Sequence, residues 1–190
     1  MAFAERQTGH LILVLGGASS GKSAMALTLA GVDAPRAFIA TGQPLDDEMT
    51  ERIGRHQRER GPDWETAEVP VELEQWFLTH ARSYRTIVLD CLTLWLSNLR
   101  DYGVPDEQIP ELVRALLRAM RTSTAHVVVV TNELGLGLVP LDASARGFRD
   151  LAGKANQLCA READEAYLVV SGMPIQIKPD QNVNRARIVR

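Results

Sequence analysis

The feature that most narrows the possible folds is a short apolar run, Leu11–Leu15, that halts at two glycines and passes into Gly16-Gly17-Ala18-Ser19-Ser20-Gly21-Lys22-Ser23. Five apolar residues stopped by glycine suit a buried strand. The eight that follow fit the spacing G-x-x-x-x-G-K-S/T without a mismatch, and Lys22–Ala30 then reads as a helix. Strand, glycine-rich loop and helix in that order form a phosphate-binding P-loop. Small residues let the backbone wrap phosphates, with its N–H groups turned inward as donors. Lys22 is placed to neutralise β- and γ-phosphates, and the Ser23 hydroxyl to ligate Mg²⁺. The expectation is a site for a nucleoside triphosphate.

The rest of the chain alternates in the same way. Ala37–Ala40, Thr86–Asp90, Val127–Thr131, Tyr167–Ser171 and Ile175–Lys178 read as further strands, the last two joined by a hairpin turn at Gly172 and Pro174. Asp46–Arg60, Glu72–Arg82, Leu92–Leu99, Glu107–Arg121 and Ser144–Glu162 read as helices. The first opens on Asp46, Asp47 and Glu48 and closes at Gly61-Pro62. Leu112, Leu116 and Met120, with Leu117 beside them, give Glu107–Arg121 one apolar face. Alternating strands and helices predict an α/β fold with a mostly parallel central sheet, helices on both faces and a C-terminal hairpin.

At 190 residues the chain is expected to form one domain, 1–190, with 1–9 and 179–190 as loose termini. A net charge of −3 and the absence of an aromatic and basic stripe argue against nucleic acid as a partner. The two cysteines, Cys91 and Cys159, form no metal-type pair. No secretory signal is read at the start and no apolar run is long enough to span a membrane, so a cytoplasmic protein without obligatory membrane insertion is expected.

Two further positions carry chemistry. Asp90 ends the apolar run Thr86–Asp90, where a P-loop site needs a second carboxylate for the metal or the nucleotide. Arg52, His56 and Arg60 recur at four-residue steps on one helix face. Flanking guanidinium groups disfavour imidazolium and keep a nucleophilic nitrogen, although spacing alone favours a solvated helix face. The other histidines, His10, His80 and His126, have no comparable company in the sequence.

Beyond the P-loop, an ordered set of segments runs along nearly the whole chain. It comprises Ile39-Ala40-Thr41, Leu45 to Met49, Arg52-Ile53-x-x-His56, Trp64-x-Thr66-x-Glu68 and Asp90 to Leu99. It continues with Thr131-Asn132-Glu133-x-Gly135-x-Gly137-x-Val139-Pro140, Phe148-Arg149-Asp150-x-x-Gly153-x-x-Asn156-Gln157, Val170-Ser171-Gly172-x-Pro174 and Lys178. In this set the chain resembles the bifunctional adenosylcobinamide kinase / adenosylcobinamide-phosphate guanylyltransferase family of cobalamin biosynthesis.

The resemblance implies a RecA-like P-loop domain assembled as a homotrimer, with ATP, GTP, adenosylcobinamide and its phosphate as substrates. It implies phosphorylation of the adenosylcobinamide side-chain hydroxyl, followed by transfer of GMP from GTP to the phosphate, giving adenosylcobinamide-GDP and pyrophosphate. It places the histidine that carries GMP at His56. It also places nucleotide contacts at Thr41, Gly42, Gln43, Gln57, Arg58, Glu59, Arg60, Glu68 and Asp90, with Glu68 assigned to guanine and Asp90 nearer the metal.

Ser19 stands where the family often has arginine, Gly42 where serine is common and Arg55 where some members have histidine. A single-activity P-loop kinase of another small molecule is the alternative. Asn132 and Glu133 are candidates for the kinase base by position. Trp95, Leu96 and Leu99 offer apolar surface for a corrinoid if exposed, or simply a helix's core face.

Overall fold

The computed structural model describes residues 9–43, 51, 54 and 62–180. Its elements are β1 (Leu11–Gly16), α1 (Lys22–Ala30), β2 (Arg36–Ala40), β3 (Trp64–Glu68), α2 (Leu73–His80), β4 (Thr86–Asp90) and α3 (Leu92–Asp101). They continue with α4 (Ile109–Thr122), β5 (His126–Asn132), α5 (Ala143–Glu162), β6 (Glu165–Val170) and β7 (Met173–Lys178). All seven strands form one sheet in the order β3-β2-β4-β5-β1-β6-β7. Every pairing is parallel except β6 with β7, which is antiparallel.

The apolar runs become strands because both of their faces are covered. Leu11, Leu13 and Leu15 pack with Leu89, Val127 and Val129 beneath helices α2 to α5. Ile12, Val14, Val88, Val128 and Val130 point the other way and pack with Ala26 and Ala30 of α1. Complete burial of each such side chain contributes roughly 1.5–3 kcal/mol. The four-residue steps in α4 are likewise its core face: Val113, Leu116, Leu117 and Met120 are buried.

The termini of α5 are held by side chains. Asp142 accepts a hydrogen bond from the Ala145 N–H at 2.7 Å. The Lys178 ammonium donates to the carbonyls of Ala160 and Arg161 at 2.9 and 3.0 Å, and to that of Ala163. Lysine is well placed at the carbonyl-rich end of a helix.

Two expectations need adjustment. Trp64–Glu68 is a strand, recruited by parallel pairing along β2 from Arg36↔Trp64 to Ala40↔Glu68. The hairpin turn consists of Ser171 and Gly172, both at positive φ, whereas Pro174 lies within β7. A sheet's outermost strand tolerates a residue that cannot donate. The helix expected at Asp46–Arg60 lies almost wholly outside the described residues; Glu51 and Gly54 are helical.

At the other end of the sheet from the P-loop, His126 is partly buried, and its Nε2 lies 3.0 Å from the Leu29 carbonyl. Burial holds its pKa below the ordinary imidazole value despite that bond.

Candidate active site

The C-terminal ends of β1, β4 and β5 meet at one edge of the sheet, where ligands of open α/β folds gather. The P-loop leaves β1 there and enters α1. Its shape depends on two left-handed residues, Ser19 at φ 52° and Gly21 at φ 95°. Lys22 is buried and its ammonium donates to the Gly17 carbonyl, so it arches back over the loop. Ser20 is also buried, and its Oγ has no hydrogen-bond partner among the described residues. That hydroxyl is enclosed by protein, 2.6 Å from where a Cβ on Gly16 would lie.

The hairpin turn braces the loop from outside. The Gly172 N–H donates to the Ser20 carbonyl at 2.8 Å. On the inner side, the Glu133 N–H donates to the Gly16 carbonyl at 3.0 Å.

Ser23, in the first turn of α1, donates its hydroxyl to Asp90 Oδ2 at 2.6 Å. The residues expected to share a metal are thus brought together from positions 23 and 90. A hydroxyl and a carboxylate oxygen are both hard donors of the kind Mg²⁺ takes when it also keeps water and phosphate ligands. They fit that ion.

Thr41 is completely buried, and its hydroxyl is engaged twice. It donates to the Cys91 carbonyl at 2.7 Å and accepts from the Cys91 N–H at 2.9 Å. Asn98 Nδ2 donates to the carbonyls of Thr41 and Pro70, both at 2.8 Å. Thr41 thereby anchors the segment that carries Gly42 and Gln43, and Asn98 ties it to the loop after β3. Glu68 ends β3 with an exposed side chain, in register with Ala40.

A ring of hydrogen bonds supports the site from below. The Asn132 N–H donates to Thr93 Oγ1 at 2.8 Å, and Thr93 and Thr131 hydroxyls meet at 3.1 Å. Thr131 donates to Asn156 Oδ1 at 2.8 Å, and Asn156 Nδ2 returns to the Asn132 carbonyl at 3.0 Å. The ring closes on one residue, Asn132, next to Glu133. Sequence reasoning assigned no role to Thr93, Asn98 or Asn156, yet the signal was present: polar residues on otherwise apolar helix faces.

Cys91 and Cys159 are free and buried, and burial pushes both thiols up to about 12. Trp95, Leu96 and Leu99 are core residues, so they offer no surface to a corrinoid. His56, Arg52, Gln57, Arg58, Glu59 and Arg60 lie outside the described residues. Among the described residues, no helix is long and apolar enough to cross a membrane.

Comparison with known proteins places this geometry in context. The family described as cobinamide kinase / cobinamide phosphate guanyltransferase matches residues 12–177. The bifunctional adenosylcobalamin biosynthesis protein CobU of Salmonella typhimurium is 42% identical over 181 residues, covering 88% of this chain and 99% of that protein. The bifunctional adenosylcobalamin biosynthesis protein CobP of Pseudomonas aeruginosa is 38% identical over 167 residues, covering 87% and 96%. Among solved structures, a KaiC-like protein of Pyrococcus horikoshii aligns with a TM-score of 0.50 at 12% identity, over 85% of this chain and 71% of its own. The P4 protein of bacteriophage phi6 in complex with ADP aligns with a TM-score of 0.50 at 14% identity, over 91% and 55%. These two similarities show the α/β fold, in which β5 here lies between the P-loop strand β1 and β4, the strand that ends in Asp90.

Proposed function

Because this chain belongs to the cobinamide kinase / cobinamide phosphate guanyltransferase family, we propose that it acts twice on one substrate. It transfers the γ-phosphoryl group of ATP or GTP to the side-chain hydroxyl of adenosylcobinamide. It then transfers GMP from GTP to the resulting adenosylcobinamide phosphate and releases pyrophosphate. The observation that carries this reading is the 2.6 Å contact of Ser23 with Asp90 beside the P-loop, in a chain that matches the family over residues 12–177.

Inward-facing N–H groups of residues 16–23 bind the triphosphate, and Lys22 balances its charge. Ser23 and Asp90 would hold Mg²⁺. When bound, that ion offsets negative charge on the phosphate oxygens. Glu68, exposed at the end of β3, accepts from the ring N–H and exocyclic amino group of guanine, a pair adenine does not present. Gly42 and Gln43 continue the nucleotide wall from the anchor at Thr41.

His56 is the nucleophile of the second reaction. Its neutral nitrogen attacks the α-phosphorus of GTP, so that an N–P bond forms. The bond from that phosphorus to the bridging oxygen breaks, and pyrophosphate departs. An oxygen of adenosylcobinamide phosphate then attacks the same phosphorus and releases the imidazole. Arg52 and Arg60 favour the neutral ring and offset charge as it develops. Gln57, Arg58 and Glu59 complete the nucleotide contacts.

Assembly into a homotrimer accompanies this reading. An exposed apolar row on the outermost strand, Met173, Ile175 and Ile177, supports an oligomer.

The test is covalent labelling. Full-length protein incubated with Mg²⁺ and GTP radiolabelled at its α-phosphate acquires acid-labile, alkali-stable label, and adenosylcobinamide phosphate chases it off. The His56→Ala variant acquires none. An unlabelled wild type, or a fully labelled variant, overturns the histidine mechanism and favours a single-activity kinase.

A further inference from the structure

The loop between β5 and α5 stands at the same edge of the sheet as the P-loop. β1, β5 and β6 are parallel, so α5 carries the chain from the exit of β5 back to the entry of β6. Both ends of the loop therefore lie at the ligand-binding edge. The Glu133 N–H that opens it donates to the Gly16 carbonyl of the P-loop at 3.0 Å. Leu136 and Leu138 follow shortly after, within about 11 and 18 Å of Glu133 by the reach of an extended chain. The loop's large apolar side chains are bare: Leu136 is 78% exposed, Leu138 96%, Val139 64% and Leu141 99%.

Local bonds hold the backbone that presents them. Glu133 Oε1 accepts from the Gly135 N–H at 2.9 Å, and the Gly137 N–H donates to the Leu134 carbonyl at 3.3 Å. At the far end Arg146 donates to the carbonyls of Pro140 and Leu141 at 3.0 and 2.6 Å, and Asp142 caps α5. Leu134 packs against the core, whereas the four side chains beyond it stay in water. Bare apolar residues massed beside a ligand site mark a binding surface.

In the function proposed above, on which this inference rests, the acceptor hydroxyl belongs to a side chain of a corrin macrocycle. The macrocycle is far broader than a phosphate, so it stays outside the P-loop while its side chain reaches in. Its methyl-fringed ring needs apolar surface close by. The side chains assigned to the nucleotide, Lys22, Ser23, Glu68 and Asp90, are polar, and α3 buries Trp95, Leu96 and Leu99. A subunit contact has its own apolar row on β7. We propose that Leu136, Leu138, Val139 and Leu141 form the surface on which the corrin ring of adenosylcobinamide rests while its hydroxyl meets the γ-phosphate.

The test compares full-length wild type with Leu138→Asp, Leu141→Asp and the conservative Leu138→Met. Val32→Asp is the control, since Val32 is also bare at 83% exposed but follows α1, at the opposite edge of the sheet. Equilibrium dialysis gives the Kd for adenosylcobinamide, a phosphorylation assay its KM, and sedimentation the oligomeric state. Both constants rise about tenfold or more in the two aspartate variants of the loop, as expected for lost burial of a leucine. Binding of a fluorescent GTP analogue and sedimentation stay as in wild type, and Leu138→Met and Val32→Asp bind adenosylcobinamide as wild type does. Undiminished corrinoid affinity in the loop variants of an active wild type overturns this assignment alone. So does a shifted sedimentation coefficient in those variants, because the loop then lies between subunits. A wild type that neither binds nor phosphorylates adenosylcobinamide overturns the functional reading, and the assignment with it.

Discussion

The glycines of the P-loop do different jobs. A Cβ on Gly16 would lie 2.5 Å from the Val169 carbonyl oxygen and 2.6 Å from Ser20 Oγ. The first of these belongs to the backbone of a neighbouring strand and has nowhere to go. Gly21 needs its positive φ of 95° to turn the chain into α1, and its Cα face lies against Gly172. Around Gly17 an added Cβ meets nothing within 4 Å. Gly16→Ala should therefore cost about 1–3 kcal/mol in overpacking and abolish binding of a fluorescent GTP analogue. Gly17→Ala should stay within about 0.5 kcal/mol of wild type in urea unfolding and retain binding. Equal damage from both would show that the motif's small residues matter for a reason other than close approach.

At the scale of elements, α5 shows what burial does to chemistry. Cys159 sits on its core face, and burial pushes the thiol up to about 12. An unfolded cysteine ionises near 8.5. The folded value is the higher one, so the stability Cys159 confers is complete below about pH 8.5 and is lost as pH rises toward 12. Urea unfolding at pH 8 and about pH 10 should show a steeper alkaline decline in wild type than in Cys159→Ala. Parallel declines would contradict the assignment.

Elements whose own residues pay for burial were legible in the sequence. The valines of β5, the leucines of β1 and the four-residue steps of α4 announce themselves because both periodicity and apolarity are local. Trp64-Glu65-Thr66-Ala67-Glu68 carries no such signal. It becomes β3 only because β2 offers a free row of backbone groups, and pairing is a property of two segments. The same limit hid the company of His10, whose ring nitrogens lie 3.3 Å from His126 Nδ1 and 3.3 Å from Glu165 Oε1. The P-loop and Asp90 were visible because their spacing, or their place at the end of an apolar run, is itself the signal. The 2.6 Å contact between Ser23 and Asp90 is a tertiary fact.

For the whole molecule, the outermost strand is the feature that calls for a partner. Edge strands are usually guarded by charge or bulges; β7 has an irregularity at Ile177, opposite Ala166 and Tyr167, and still exposes Met173, Ile175 and Ile177. If the proposed oligomer forms through this strand, Ile175→Lys should shift sedimentation toward monomer while leaving the circular dichroism spectrum intact. An unchanged sedimentation coefficient would place the contact elsewhere.

The brace between the hairpin turn and the P-loop has a consequence for biosynthesis. A ribosome emits the loop at residues 16–23 early, but β1 must wait for β5 and β6 as its neighbours, and the Ser20 carbonyl waits for the Gly172 N–H. Contacts this distant form late and slowly. A nascent chain bearing the entire phosphate motif is therefore still unable to grip a triphosphate. The finished brace waits for the hairpin, whose Gly172 N–H meets a loop made long before.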